Sequence, residues 1–183
     1  FNGDSALSAS TNFAISTTNP QTVTVAPSQT ISFGIRPLYS ISGVVFNDQS
    51  KDGIKNGAEP NMTGNYSIQV VGPSGNPTTQ TFTATNGVYT TGRTLSEGTY
   101  TVSYTSAIPG GYRMTNPPPA ISPPSFSVTI GTNCSASAAL GASCVSAGFP
   151  FTASNIQNLN FGMTNYIPWF QCIGNSCRID GTI

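Results

Sequence analysis

Hydrophobic and polar residues alternate with a period of two along several segments of the chain. Aromatic or branched apolar residues occupy every second position in residues 66–70, 100–104 and 126–130, separated by Ser, Thr or Gln. The same alternation runs through Val23 and Val25. Successive side chains of a strand point to opposite faces of a sheet. The alternation therefore predicts strands with one face on a core and one hydroxyl-rich face in water.

Turn residues separate these segments, and helix signals are nearly absent. Gly-Pro-Ser-Gly-Asn-Pro lies at residues 72–77, Asn-Gly at 86–87 and Pro-Gly-Gly at 109–111. No segment keeps a 3.6-residue apolar period for three turns, and the 19 glycines and 14 prolines interrupt every candidate helix. Short alternating strands with frequent turns are typical of a sandwich. The sequence predicts an all-β, Ig-like β-sandwich with additional N-terminal and C-terminal strands.

A weak internal repeat indicates how the chain is divided. ISFGI at residues 31–35 is followed by LYSI at 38–41, and LNFGM at 159–163 is followed by YIPW at 166–169. A Val-Thr-Val or Val-Thr-Ile segment precedes each pair. The repeat predicts N-terminal strands in residues 1–37, a complete sandwich in 38–163 and a C-terminal segment in 164–183. The N-terminal strands would end a preceding module or act as donor strands.

If the N-terminal and C-terminal segments are parts of incomplete modules, their strands have edges without a partner. Such edges tend to be covered by pairing with another strand. Either the ends fold back onto the central sandwich, or a neighbouring copy or adjacent module supplies the missing strands. The second option predicts a filament that assembles by strand exchange, as a pilus does. The alternatives are a stalk fragment of a longer multi-module surface protein and a larger sandwich that includes its own N-terminal strands.

Charge is the unusual feature of the composition. Only 7% of residues are charged and the net charge is zero, against about 25% charged residues in typical soluble domains. The sequence lacks the basic cluster that nucleic acid or an anionic membrane surface would attract. No apolar run approaches the roughly 18–20 residues of a membrane helix. Nucleic-acid binding and membrane insertion are therefore not expected.

The four cysteines form two close pairs, Cys134 with Cys144 and Cys172 with Cys177. The chain has no His, and the spacings lack the short CxxC pairs of structural zinc sites. Two disulfides that close local loops in an oxidising, extracellular compartment are predicted. The alternative is four reduced, buried thiols.

The segment from Asp48 to Glu59 fits a 12-residue calcium-loop pattern, D-x-S-x-D-G-x5-E. Calcium prefers six to eight oxygen ligands. The predicted ligands are the side chains at loop positions 1, 3, 5, 9 and 12 and the carbonyl at position 7: Asp48, Ser50, Asp52, Asn56, Glu59 and the main chain of Ile54. Gly53 permits the sharp turn, and the Ile54 side chain is expected to turn toward the core.

The small number of acidic residues in the chain favours a calcium site over a solvated hairpin loop. Of the six acidic residues in the chain, Asp48, Asp52 and Glu59 fall on ligand positions. Three carboxylates beside Lys51 and Lys55 predict weak affinity, which suits a structural site in a millimolar extracellular calcium pool.

Residues 39–130 resemble the B-type repeat domains of serine-aspartate repeat adhesins (SdrD B-like), within the wider class of collagen-adhesin B-type, prealbumin-like sandwiches. The resemblance is carried by YSISGVVFND at 39–48 with the calcium loop directly after it, by LSEGTYTV at 95–102 and by GGY at 110–112. It implies a calcium-rigidified stalk that projects a binding domain from a microbial surface. It also implies calcium ligation by Asp48, Ser50, Asp52, Ile54 and Glu59.

Two features depart from that family. Asn56 stands where the family usually has Asp, which weakens the expected affinity for calcium. The 30-residue excursion between Ile130 and Phe161, which contains Cys134 and Cys144, has no counterpart in the resemblance.

Two other functional classes were weighed against a structural role. An enzyme is not expected, because the chain has no His and the acids outside the loop, Asp4, Glu97 and Asp180, fall in unrelated turns. A carbohydrate- or protein-binding adhesin, with a glycan or host-surface ligand, is the main alternative. Its binding face would be an aromatic platform of Tyr112, Tyr166, Trp169 and Phe170, and packing between modules is the simpler explanation of these residues. Asn61, Asn65 and Asn133 stand in Asn-x-Ser/Thr motifs and are candidate glycosylation sites.

Overall fold

The fold is described from a computed structural model that covers residues 13–15, 34–73, 78–119, 122–136, 139–146, 154–165, 169–173 and 176–180. For residues 13–15, 169–173 and 176–180 only the backbone is described. Within these ranges the secondary structure consists of strands, without a helix. The strands are β1 Phe13–Ile15, β2 Ile35–Pro37, β3 Ser42–Asn47, β4 Asn65–Gly72, β5 Thr78–Thr85, β6 Val88–Thr90, β7 Gly98–Tyr104, β8 Tyr112–Asn116, β9 Ser125–Ile130, β10 Ser143–Ser146, β11 Ser154–Gln157, β12 Phe161–Asn165, β13 Trp169–Ile173 and β14 Ser176–Asp180.

Eight strands form one curled sheet in the order β8-β12-β3-β6-β5-β4-β7-β9. Neighbouring strands are antiparallel except β12 and β3, which are parallel. Three two-stranded sheets accompany it, β1-β2, β10-β11 and β13-β14. The predicted all-β sandwich with additional N-terminal and C-terminal strands is confirmed. The described residues contain no helix long and apolar enough to cross a membrane.

The period-two alternation places the predicted strands correctly. Along β4 the buried and partly exposed positions alternate, with Tyr66, Ile68 and Val70 inward. The apolar positions of β7 and β9 are likewise buried. Asn86 and Gly87 form the two-residue turn between β5 and β6, with φ of 48° and 77°. These positive φ values explain the Asn-Gly pair, because Asn and Gly adopt the left-handed region most readily.

An aromatic cluster lies at the centre of the core, and β12 supplies its middle ring. The ring of Phe161 lies 5.1 Å from that of Phe126, 6.0 Å from that of Tyr104 and 6.3 Å from that of Tyr89, measured between centroids. All four side chains are at most 2% exposed. Tilted ring pairs at these distances are favourable beyond the area they bury. Residues from both ends of the sheet therefore meet at Phe161.

The described strands near the two ends of the chain pair locally. Strand β1 pairs with β2, and β13 pairs with β14. The guanidinium of Arg36 in β2 also donates to the Ser96 hydroxyl before β7. Return of the ends onto the central sandwich and pairing with a neighbouring copy both stay predictions. The segment at Val23 and Val25 lies outside the described residues. The eight-stranded sheet runs from Ser42 to Asn165, and the division into residues 1–37, 38–163 and 164–183 stays a prediction.

Candidate calcium-binding loop

The loop from residue 48 to residue 59 starts directly after β3, and both of its ends are tied to the sheet. The backbone N–H of Asp48 donates to the carbonyl of Met163 in β12, at 2.7 Å. The N–H of Asn47 donates to the carbonyl of Pro60, at 2.9 Å, which closes the base of the loop. The central strands β3 and β12 thus set the position at which the loop begins and ends.

Asp48 lies at the first loop position, and its carboxylate is fully buried at 0% exposure. Its Oδ2 accepts a hydrogen bond from the backbone N–H of Gly53 at 2.9 Å, and its Oδ1 accepts one from the Ser50 hydroxyl at 3.2 Å. Gly53 has a φ of 76°, which a residue with a Cβ rarely adopts. The predicted turn at Gly53 is therefore what folds the chain back over Asp48.

Glu59 lies at the last loop position and is 5% exposed. Its Oε1 accepts from the N–H of Ser50 at 2.9 Å and from the Ser50 hydroxyl at 3.0 Å. Its Oε2 accepts from the N–H of Asn56 at 2.9 Å. Burial alone would raise the pKa of Glu59, but these hydrogen bonds outweigh it and hold the pKa below its ordinary value. The carboxylate therefore favours the ionised form, which is the form that binds a cation.

Asp52 and Asn56 complete the network on the exposed side of the loop. Asp52 Oδ1 accepts from the N–H of Ile54 at 2.8 Å, and its Oδ2 accepts from the Asn56 amide at 3.1 Å. The hydrogen bond from Ile54, followed by that from Asn56, lowers the pKa of Asp52. The same Asn56 amide donates to Ser50 Oγ at 3.3 Å. All five side chains predicted as ligands are thus joined in one hydrogen-bonded network.

The charge of this network is not balanced by a cationic side chain. In the part of the chain that the structure describes, neither the Asp48 nor the Glu59 carboxylate contacts a Lys or Arg. The ammonium of Lys55 instead donates to the main-chain carbonyl of Glu59 at 2.5 Å, and Lys51 is exposed. Burial of an ionised carboxylate without a counter-charge is costly. Two buried carboxylates thus meet at Ser50, and their binding of a cation stays a prediction.

The donor atoms fit a hard cation. A calcium ion with ligands at about 2.3–2.6 Å brings neighbouring oxygens to about 3 Å from each other. Ser50 Oγ lies 3.2 Å from Asp48 Oδ1 and 3.0 Å from Glu59 Oε1. The acidic groups themselves do not form a compact cluster, since no group of three His, Cys, Asp or Glu side chains suited to a metal occurs among the described residues. Ser50 and Asn56 are therefore needed to connect the carboxylates.

One expectation about the loop is wrong. The side chain of Ile54 does not turn into the core but is 40% exposed. Its Cγ2 lies 3.7 Å from the position that a Cβ on Gly141 would take. The residue packs beside a neighbouring loop because the segment from 139 to 142 lies against this side of the calcium loop. Ligation by the Ile54 carbonyl stays a prediction.

The loop also lies against residues that no sequence pattern identified. Asn116, at the end of β8, is fully buried, and its amide donates to the carbonyls of Asn160 at 3.0 Å and Leu140 at 3.4 Å. Leu140 Cδ1 and Asn116 Cβ lie 3.0 and 3.5 Å from where a Cβ on Gly53 would be. No local pattern marks Asn116, because its role depends on three segments that are distant in sequence.

The structure joins Cys134 to Cys144 by a disulfide bond, the pairing expected from the sequence. The backbone register of the last hairpin sets Cys172 opposite Cys177. The side chains of that hairpin lie outside the described residues, so their disulfide stays a prediction. Asn65 and Asn133 are exposed and Asn61 is partly exposed, and their glycosylation also stays a prediction.

The residues weighed for catalysis and for an aromatic platform are not brought together among the described residues. Glu97 Oε1 accepts from the N–H of Thr132 at 2.8 Å, which is a structural contact. Asp4 and the side chain of Asp180 lie outside the described residues. Tyr112 is partly buried and packs against the core. The side chains of the other three platform residues also lie outside the described part: Tyr166, Trp169 and Phe170.

Comparison with known families gives one match. Residues 39–122 match the family model of the SdrD B-like domain. This range includes strands β3 to β8 and the whole calcium loop. No match was found among curated proteins. Domains of this family are structural or adhesin modules of cell-surface proteins rather than enzymes. Residues 39–122 of this chain are therefore similar to the SdrD B-like domain, a kind of module found in adhesin-type surface proteins.

Proposed function

We propose that this protein is an extracellular structural module of a microbial surface filament or stalk, and that one calcium ion bound by the loop at residues 48–59 stabilises it. The ligands are the side chains of the five-residue network and one main-chain carbonyl: Asp48, Ser50, Asp52, Asn56, Glu59 and Ile54. The ion stiffens the end of the sandwich at which β3 and β12 leave the sheet.

The observation that carries this proposal is a pair of buried carboxylates that form no ion pair with a Lys or Arg side chain among the described residues. Asp48 and Glu59 are 0% and 5% exposed and meet at Ser50. A divalent cation between them would offset both the desolvation cost and their mutual repulsion. The low charge of the chain, with six acidic residues in all, makes the concentration of acids in this loop more significant. The family supports the surface location and the structural role.

The loop offers its own probe, because Lys51 and Lys55 are the only lysines of the chain. Endoproteinase Lys-C, which cleaves after lysine, therefore cuts only within the loop. Calcium at a few millimolar should slow cleavage of the native protein about tenfold or more, since the bound ion removes the open loop conformations that a protease needs. The rate is read from the appearance of the two large fragments, which lie on either side of the loop lysines, by gel or mass spectrometry.

Asp48→Asn is the matched variant for this experiment, because it keeps the size of the side chain and removes its charge. Its cleavage should be equally fast with and without calcium. Magnesium at the same concentration is the ionic-strength control and should protect less, because the ion demands a smaller octahedral site. Equal cleavage rates of the wild-type chain in calcium and in chelator would count against the loop as a calcium site.

We also propose that the protein assembles by strand complementation. The eight-stranded sheet ends at β8 and β9. Ser135 already pairs with Thr129 on the outer side of β9, so β8 is the edge at which we propose that a neighbouring chain adds a strand. The partners are copies of the same chain or adjacent modules. Removal of residues 1–35 should leave monomers, whereas the full chain forms filaments visible by negative-stain electron microscopy. Filaments of normal length from the truncated chain would reject strand exchange through this segment.

A further inference from the structure

The described part of the segment closed by the Cys134–Cys144 disulfide, residues 134–136 and 139–144, is here called the strap and is anchored on the sandwich at both ends. Near its start, Ser135 pairs with Thr129 of β9 through two backbone hydrogen bonds of 2.8 and 2.9 Å. Ala136 and Ala139 are buried in the main core. At its end, Ser143 and Cys144 lie in β10, which pairs with β11. The strap lies outside residues 39–122, the part that matches the SdrD B-like family.

The middle of the strap lies against the calcium loop. Leu140 Cδ1 is 3.0 Å from the position of a Cβ on Gly53, and Ile54 Cγ2 is 3.7 Å from the position of a Cβ on Gly141. The Asn116 amide donates to the carbonyl of Leu140, and its Cβ lies 3.5 Å from the same Cβ position on Gly53. The strap and the end of β8 thus both lie beside Gly53.

Gly53 connects this contact to the first ligand of the loop. Its backbone N–H donates to Asp48 Oδ2 at 2.9 Å, so displacement of Gly53 would release one oxygen of the buried carboxylate. The turn at Gly53 also needs a positive φ of 76°, a conformation that neighbouring contacts must maintain. Leu140, four residues before Cys144 in the strap, thus lies beside Gly53, and Gly53 donates to Asp48.

We propose that the strap is a positioning element for the calcium loop: the disulfide-closed segment keeps the loop in its ion-binding shape and thereby raises the affinity for calcium. This inference rests on the proposed calcium function. A disulfide limits the conformations of the segment it closes, so Leu140 stays over Gly53. Without the bond, the strap can leave the loop, and part of the binding free energy is then spent on ordering the loop again.

The test compares two double variants of the full-length chain, Cys134→Ser with Cys144→Ser and, as a matched control, Cys172→Ser with Cys177→Ser. Two quantities are measured at 20 °C: the rate of Lys-C cleavage in chelator, and the calcium dissociation constant by isothermal titration calorimetry. The first variant should be cleaved about five- to tenfold faster than wild type and bind calcium about five- to tenfold more weakly, the usual range of such couplings. The control should match wild type in both.

The Leu140→Ser variant distinguishes the loss of this one contact from a general loss of folding. Leu140 is 46% exposed, so this substitution removes the contact with Gly53 while the disulfide and the core remain. It should change both quantities in the same direction as the loss of the disulfide, by a smaller factor. Wild-type values for Leu140→Ser and for the Cys134/Cys144 variant would overturn the inference, as would equal changes in the control. A wild-type chain that gives no calcium heat would instead overturn the calcium function, and the cleavage rates in chelator then decide on the strap alone.

Discussion

Replacing Phe161 by alanine should lower the melting temperature of the protein by about 10 °C. Phe161 is fully buried, and its ring touches the rings of Phe126, Tyr104 and Tyr89. Removal of a buried phenylalanine side chain costs about 3–5 kcal/mol through lost burial and the cavity left behind. For a chain of this size each kcal/mol corresponds to roughly 2–4 °C. The shift is measured by circular dichroism during thermal unfolding.

The position of Phe161 in the sheet adds to this effect. Phe161 belongs to β12, which lies between β8 and β3. Loss of the Phe161 side chain therefore disturbs the strand that joins β8, at the end of the sheet, to the central strands. Ile108→Ala is the matched control, because Ile108 is apolar but 40% exposed. It should change the free energy of unfolding by about 0.5 kcal/mol or less. Similar melting temperatures for the two variants would contradict the assignment of β12 to the core.

Calcium should raise the melting temperature of the wild-type chain by about 5–10 °C relative to chelator. An ion that binds only the folded state stabilises it by about 2.7 kcal/mol at a concentration of one hundred times its dissociation constant. Extracellular calcium modules have dissociation constants on the order of 10⁻⁴–10⁻³ M, so about 10 mM calcium approaches that condition for the tighter end of the range. The measurement is a thermal melt in calcium and in EDTA.

Substitutions of two acidic residues test whether the calcium-induced rise in melting temperature comes from the loop at residues 48–59. Asp48→Asn should abolish it, because Asp48 contributes the most deeply buried carboxylate of the loop. Glu97→Gln should retain it, because Glu97 lies outside the loop and the glutamine can still accept from the N–H of Thr132. A shift that survives Asp48→Asn would place the stabilising ion elsewhere in the molecule.

The strands and the loop could be read from the sequence because both are encoded locally. Period-two alternation identifies the inward side chains of β4, β7 and β9, and the Asn86-Gly87 pair requires a tight turn. The loop residues follow each other at fixed spacing, so the pattern alone identifies the side chains that meet around Ser50, and their ligation of calcium stays a prediction. The structure adds that Asn56 links Ser50 with Asp52.

The order of the strands could not be predicted, because it depends on contacts between distant segments. Strand β12 enters the sheet parallel to β3 and beside β8, although more than 100 residues separate Asn47 from Phe161. The orientation of Ile54 was misjudged for the same reason. The loop meets the strap near Gly141, and nothing in residues 48–59 encodes that neighbour.

The family match covers fewer residues than the eight-stranded sheet, so the match alone does not define the folded module. The match ends at residue 122, but β9 and β12 belong to the same eight-stranded sheet. A chain cut at residue 122 would lack Phe126 and Phe161 from the aromatic cluster. The folded unit therefore needs residues beyond the matched range, including those that follow the strap.

In the proposed site, one calcium ion lies among the oxygens of residues 48–59. Anomalous diffraction at long wavelength, from crystals grown with millimolar calcium, measures this most directly because the signal identifies both the element and its position. We predict one anomalous peak within about 2.3–2.6 Å of oxygens from Asp48, Asp52 and Glu59. An ordered loop without a peak, in crystals that contain calcium at that concentration, would contradict the account.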